Sequence, residues 1–378
     1  MKKSLIALAA FSAVSVFAQS SVTVYGRFDA GFTRDTGGAA GAGSVSRLDS
    51  GIAGGSRLGF RGVEDLGGGL KANFVMETGF CGDANSGGAA SGLAATSPNF
   101  CTGGNNFMGR EARVGLSGDF GALDLGRQYT PAFVVLNALD PFGTGTAGQI
   151  VNLFDSAGGY ALNNVNSANP RFNNAIKFST ANYGGFTASA GFGLGENAAV
   201  SSGGRSYGLN AQYSNGPIYV GFAYHLARNA AATDDRKNVL VGATYDFGPA
   251  KAHFAYGTTR NAIAQGLVAP LVFSVAPTAA PLTSINNGDA RNVMLGVSAP
   301  LGSGRLMASY IRHDDKGINN FDADQLGIGY SYALSKRTNL YTAFARINNK
   351  NGSTYTVGNA GNAGIGNSAF NLGVAHSF

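Results

Sequence analysis

The chain has 378 residues, a formal charge of +6, 13% charged residues, 58 glycines and only 10 prolines. So few charges beside 25 Phe and 15 Tyr exclude a disordered chain, which is poor in aromatics, and do not suit an ordinary soluble enzyme. Beyond the first eighteen residues no run of eighteen apolar residues occurs, which excludes a protein that crosses a membrane with helices.

Residues 1–18 read as a cleaved secretory signal peptide. Lys2 and Lys3 give the charged start, Leu5 to Val14 the apolar middle, and Val16-Phe17-Ala18 the small-residue cleavage site. One domain is expected over 19–378. Losing two lysines leaves a mild positive charge, and no basic cluster with interleaved aromatics points to nucleic acid. Cys81 and Cys101 are the only cysteines, so in an oxidising compartment they are expected to form a disulfide across a segment rich in Gly, Ala and Ser; two free thiols are the alternative.

From Ser21 to Thr33 the side chains alternate. Val22, Val24, Phe28, Ala30 and Phe32 share one face, and Thr23, Tyr25, Arg27 and Asp29 the other. Period two marks a strand between unlike environments. The pattern recurs around Arg57 to Arg61, Leu70 to Glu77, Ile218 to Leu226 and Asn238 to Phe247. Arg110 falls in phase with the apolar Val114 and Leu116, and around Tyr310 and Tyr341 the pattern does not choose a face.

Connections alternate in length. Short turns, such as Asp119-Phe120-Gly121 and Asn215-Gly216-Pro217, alternate with long polar stretches at Asp35 to Gly54, Cys81 to Asn106, Tyr129 to Pro170, Asn261 to Ala290 and Asn349 to Gly366. Apolar-out strands joined by short turns on one side and long loops on the other describe a transmembrane barrel, here of about sixteen strands with an aqueous lumen. The stretch from Tyr129 to Pro170 is too long for a structureless loop unless it is functional. It is expected to fold into the barrel and narrow the pore.

On the lumen-facing phase lie Arg57 and Arg61 and, on a later strand, Arg171, Asn173 and Lys177. Arginine stays cationic when crowded, and a ring of Arg or Lys lines an anion or phosphate pore. The alternative is that these groups pair with Glu64, Asp65 or Glu77 and only stiffen the wall. Enzyme chemistry finds no foothold. The four histidines, His225, His253, His313 and His376, have no metal or triad spacing, and His313-Asp314-Asp315 reads as a solvated outer loop. Gly191 to Gly195 has no helix behind it to cradle phosphate, and its small residues are expected on a lipid or subunit face. No catalytic residue, metal or cofactor is expected.

Several segments together resemble the general diffusion porins of Gram-negative outer membranes, most closely the trimeric porins of beta-proteobacteria. They are Ser21-Val22-Thr23-Val24-Tyr25-Gly26, the run from Gly55 to Gly67, Gly126-Arg127-Gln128-Tyr129, Arg171-Phe172-Asn173-Asn174-Ala175-Ile176 and the ending Gly373-Val374-Ala375-His376-Ser377-Phe378. The resemblance implies an all-β, 16-stranded antiparallel barrel in the outer membrane, with an inward-folded third loop, passing small hydrophilic solutes by passive diffusion. In anion-favouring members arginines facing that loop form the narrow zone; by position these are Arg57, Arg110 and Arg171, with Glu77, Asp140 and Asp155 as opposing acids. The implied partners are two further copies in a homotrimer, outer-membrane lipids and lipopolysaccharide, small anionic or neutral solutes, and the barrel-assembly machinery, for which the Phe378 strand is the signal. A substrate-specific channel and an adhesin-type barrel are the competing readings.

Overall fold

Alternation along the chain becomes one closed antiparallel sheet in the computed structural model of the protein, which describes residues 21–37, 43–82, 107–154, 170–229, 231–233, 235–260, 289–317, 320–361 and 364–378. The strands are β1 (Ser21–Thr36), β2 (Val45–Ser50), β3 (Arg57–Gly67), β4 (Leu70–Gly79), β5 (Glu111–Gly118), β6 (Gly121–Tyr129), β7 (Arg171–Ser179), β8 (Phe186–Gly193) and β9 (Ser206–Asn215). They continue with β10 (Ile218–Arg228), β11 (Asp235–Asp246), β12 (Lys251–Arg260), β13 (Ala290–Leu301), β14 (Gly304–Asp315), β15 (Ala323–Ala333), β16 (Thr338–Asn349) and β17 (Ser368–Ser377). Each pairs with the next, except that β2 and β3 both pair with β1, and β17 returns to β1 with Arg27 opposite Ser377 and Thr36 opposite Ser368. Closure leaves no open edge, so every strand finds its hydrogen-bond partners within the sheet. Phe378 extends the seam: its N–H donates to the Gly26 carbonyl at 3.1 Å and its carbonyl accepts from the Gly26 N–H at 3.0 Å.

Sixteen staves result, because β2 and β3 are two lengths of one. β2 pairs with the upper part of β1 and β3 with the lower part. Between them Gly51, at φ +75°, lets the chain step aside from Gly51 to Ser56 and bury Ile52 completely. The expected loop from Asp35 to Gly54 is therefore largely an extended hairpin. Arg47 holds it, donating to Asp35 and Asp49 at 2.8 Å each.

The two faces of the sheet differ as the alternation requires. Val22, Val24, Phe222, Leu295, Val297, Leu326, Ile328 and Phe344 are exposed. Asp29, Asn210, Asn238, His253, Asn292, Gln325 and Asn371, at the opposite parity, are buried. Outward apolar side chains and a covered polar face suit a hydrocarbon surround, not water. The undecided tyrosines separate: Tyr310 is exposed on the apolar side, while Tyr341 is buried and donates to Asp29 at 2.6 Å. His313 is no loop residue. It lies buried in β14, bonded to Asn292 at 2.7 Å and to the Tyr355 hydroxyl at 2.8 Å.

After β6 the chain forms helix α1 (Pro131–Leu139). Thr130 caps it by accepting from the Phe133 N–H at 3.1 Å, and Pro131 at the first position costs no helical hydrogen bond. Ala132, Val135, Leu136 and Leu139 make one buried stripe. It lies on the polar face of β9 to β12, where small residues leave room: a Cβ at Gly221 would stand 2.7 Å from Val135, and one at Gly242 2.5 Å from Leu139. Beyond the helix, Pro141 sits on Gly296 and Phe142 on Gly329. The Ala147 N–H donates to Asn371 at 2.6 Å, the Thr146 N–H to the Ile52 carbonyl at 2.7 Å, and Asn152 donates to Gln325 at 2.8 Å. Phe154 returns to Gly257 on β12.

Candidate functional site

Three arginines meet where β3, β4, the start of β5 and the ends of β6 and β7 come together. Glu77 is the acid that two of them share. Its Oε1 accepts from Arg110 Nε at 2.6 Å, its Oε2 accepts from the Tyr25 hydroxyl at 3.1 Å, and Arg57 Nε stands 3.8 Å from Oε2. Tyr129 carries the chain of contacts onward. Its hydroxyl accepts from Arg110 at 2.9 Å and from Arg171 at 2.6 Å. The Arg171 guanidinium also lies over the Tyr129 ring, 4.3 Å from its centre, and Phe133 of α1 stacks on the same ring at 5.0 Å. One carboxylate thus serves two guanidiniums, and the third, Arg171, joins them through the Tyr129 hydroxyl.

Register places these groups. Glu77 follows the alternation of β4 opposite Gly59 and Glu111. A bulge sets one β6 residue against two of β7 between Gly126 and Gln128, which aims Arg171 and Tyr129 at one point. Arg110 is at the wrong parity for this face, yet it is there. β5 begins only at Glu111, and the turn before it, with Met108 at φ +58°, frees Arg110 from the strand's alternation. Its N–H then bonds the Glu77 carbonyl at 3.0 Å, and its side chain is only 6% exposed.

The remaining predicted residues are placed as follows. Arg61 is exposed on the Arg57 side of the sheet, over the Tyr25 ring at 5.2 Å. Lys177 donates to the Tyr129 carbonyl at 3.3 Å, and beside it Arg113 pairs with Asp124 at 2.6 Å and Glu111 at 3.2 Å. Asn173 turns away to the Arg127 side chain. Asp140 does not join the arginines. It is enclosed by its own segment, accepting from the backbone N–H groups of Phe142 (3.0 Å), Thr144 (2.8 Å) and Ile150 (3.0 Å). Asp155 and Cys101 lie outside the described residues, as does the 1–18 segment; Cys81 follows β4 after Phe80. Gly191 faces Phe172, not lipid: a Cβ there would meet the ring at 2.7 Å.

Two features had no sequence expectation. Tyr25 and Tyr129 were visible only as strand residues, and their hydroxyl bridges depend on register across distant strands. The small-residue stripe that seats the Thr130–Phe154 segment was legible in principle, as Gly or Ala recurring on the polar parity of β10 to β16.

Burial pushes the Asp140 carboxyl up to about 6, against its three amide donors, which act in the lowering direction. A carboxyl whose folded value exceeds its free value favours the folded segment at low pH, and that contribution is lost as pH rises through about 6. The segment is therefore expected to open more often at pH 7 than at pH 5, read as current noise in single-molecule recordings, with Asp140→Asn removing the difference.

A family model described as Gram-negative porin matches residues 4–352. The chain is 34% identical over its whole length to outer membrane porin protein 32 of Delftia acidovorans, which it also covers completely. It is 29% identical to an outer membrane porin of Bordetella pertussis, covering 90% of this chain and 93% of that one. An anion-selective porin from Comamonas acidovorans superposes with a TM-score of 0.73 at 32% identity, over 95% of this chain and 100% of the other.

Proposed function

Because this chain belongs to the family of Gram-negative porins, we propose that Arg57, Arg110 and Arg171 form the anion-favouring constriction of its channel. The protein is an outer-membrane porin through which small hydrophilic solutes diffuse passively. The narrow zone is completed by the Thr130–Phe154 segment, folded inward. One observation carries the reading: Arg110 and Arg57 share one carboxylate, Glu77, Arg171 joins them through the Tyr129 hydroxyl with no carboxylate of its own in contact, and the segment beyond brings only Asp140, whose oxygens are taken by backbone amides. Inward folding is supported by reach. Within twenty-five residues the segment touches β9, β12, β13, β15, β17 and the Ile52 step, always on the polar face.

A fixed cationic ring attracts anions and repels cations at the narrowest point, where little water remains to screen it. Arg61 extends the positive field along the same wall, while Arg113 is taken up by Asp124 and Glu111. The selectivity reported in the name of the Comamonas acidovorans protein has the sign that this charge imbalance gives. Liposomes carrying the protein are expected to take up an anionic sugar derivative faster than a cationic one of equal size. Equal rates would remove the arginine cluster from the mechanism.

Export and assembly belong to the same reading. Residues 1–18 direct export and are removed, a Cys81–Cys101 disulfide fastens the second outer loop, and three copies form the unit. Phe378 is the terminal signal for the assembly machinery, and its ring lies over Gly26 on the apolar side of the seam. Phe378→Ala is expected to leave the hydrogen bonds to Gly26 possible but to slow accumulation of folded, heat-modifiable barrel in the outer membrane. Undiminished accumulation would dismiss the signal.

A further inference from the structure

Among the described residues, Tyr25, Tyr129, Tyr219 and Tyr341 lie on the polar face of the strands. Three of their hydroxyls donate to an acceptor: Tyr25 to Glu77 at 3.1 Å, Tyr219 to Gln212 at 2.8 Å and Tyr341 to Asp29 at 2.6 Å. Tyr129 differs. Its oxygen accepts from Arg110 at 2.9 Å and from Arg171 at 2.6 Å, and among the described residues its own hydrogen meets no acceptor.

Two donors fill the lone pairs of a phenolic oxygen, so what remains to this hydroxyl is to donate. Both donors are cationic, and they draw electron density from the oxygen, which strengthens that donation. The side chain is held from several directions. Phe133 stacks on the ring at 5.0 Å, the Arg171 guanidinium lies 4.3 Å from its centre, and Lys177 donates to the backbone carbonyl at 3.3 Å. The next residue, Thr130, donates its N–H to the Pro170 carbonyl at 2.9 Å and caps α1. Holding two arginines together would be done more tightly by a carboxylate, which would also cancel one of their charges. The phenol holds them and leaves both charges standing. Beside them, the Arg57 guanidinium has only the 3.8 Å approach to Glu77, so most of its five donors are left for an ion in the lumen.

We propose that the Tyr129 hydroxyl is a specificity-determining donor of the constriction, which makes the channel select oxyanions over halides. The inference rests on the anion-favouring constriction proposed above and goes beyond it, because net charge alone does not separate one monovalent anion from another. A carboxylate offers two oxygens in a plane that match the fork of a guanidinium and still leave a lone pair for the phenol. Hydrogen bonds from O–H to an anionic oxygen are among the shortest and strongest. Chloride is a single sphere; it answers to the charge of the arginines and gains less from a directed donor.

The test measures reversal potentials of the full chain in bilayers of uncharged lipid, with potassium formate on one side and potassium chloride on the other. At about pH 6 formate is ionised and the phenol neutral. The wild type is expected to give a formate-to-chloride permeability ratio above the ratio of the two mobilities in water. Tyr129→Phe keeps the ring contacts and should lower that ratio about fivefold, the worth of one hydrogen bond in a partly wet site. It removes no charge, so the anion-to-potassium ratio should fall far less. Replacing Tyr129 by 3-fluorotyrosine keeps the shape nearly unchanged but makes the hydroxyl a stronger donor and a poorer acceptor. It should therefore raise the formate-to-chloride ratio, and it guards against misfolding of the phenylalanine variant. An unchanged ratio in Tyr129→Phe, or a fall with 3-fluorotyrosine, would overturn the proposal; the second result would leave the hydroxyl only as the acceptor that positions Arg110 and Arg171. Equal losses of both ratios in Tyr129→Phe would likewise reduce it to a structural bridge. A wild type that does not prefer anions to potassium would sink the constriction reading itself, whereas an anion-preferring channel indifferent between formate and chloride sinks only the role of Tyr129.

Discussion

Replacing Arg57 and Arg171 together by glutamine is expected to abolish the channel's preference for anions. A unit charge about 6 Å from a permeating ion contributes ~0.7 kcal/mol in bulk water and ~3 kcal/mol at an effective dielectric near 20. Two such charges, even at the lower value, change the anion-to-cation permeability ratio by at least about tenfold. Arg57 and Arg171 are chosen because each can be neutralised while Arg110 stays on Glu77 at 2.6 Å. Removing Arg110 would instead leave a buried carboxylate without its closest partner, which costs about 3–5 kcal/mol and confuses selectivity with stability. The double variant is read by reversal potential at low and high salt. The difference from wild type should shrink at high salt, because a Debye length of ~3 Å at 1 M screens what remains of the field. An unchanged ratio at low salt would place the selectivity elsewhere in the lumen.

Gly221→Ile combined with Gly296→Ile is expected to raise single-channel conductance and its noise. Each branched side chain would occupy the space now filled by Val135 or Pro141, since even a Cβ would stand 2.7 Å and 2.9 Å from them. Overpacking a fitted contact costs typically ~1–3 kcal/mol per site, and here the segment can yield by lifting from the wall while the barrel's ladder stays closed. Val220→Ile, on the exposed face of β10, is the control and should change neither quantity. Unaltered conductance in the double variant would mean that the Thr130–Phe154 segment does not limit the pore.

The barrel was readable because its outward face must be apolar whatever else the chain does. Val22, Phe222 and Leu295 announce that face through period two, and turn chemistry gives the parity of the connections. Arg57 and Glu77 followed from the same alternation. Arg110 did not. A residue that precedes its strand by one position takes its direction from a turn, and periodicity has no hold there. Resemblance placed it where phase could not.

Asp140 was misjudged for a different reason. A lone acid in a long polar stretch looks available to the lumen, but three backbone N–H groups within ten residues close around it. Such self-contained turns of the chain are settled by backbone geometry that composition does not report. Gly191 was assigned to the wrong face because the bulge in β7 brings Phe172 over it, on the side where straight alternation expects Arg171 and Asn173. The hairpin formed by β1 and β2 was hidden by the Gly-rich stretch between them in the sequence, although Asp35, Arg47 and Asp49 were spaced to lock it.

The most direct measurement is the zero-current potential of the wild-type protein in a bilayer of uncharged lipid, with potassium chloride at unequal concentrations on the two sides. The arginine cluster with its single acid predicts a potential of the sign that chloride diffusion sets, larger when both solutions are dilute. A potential of the potassium sign, or none, would contradict it.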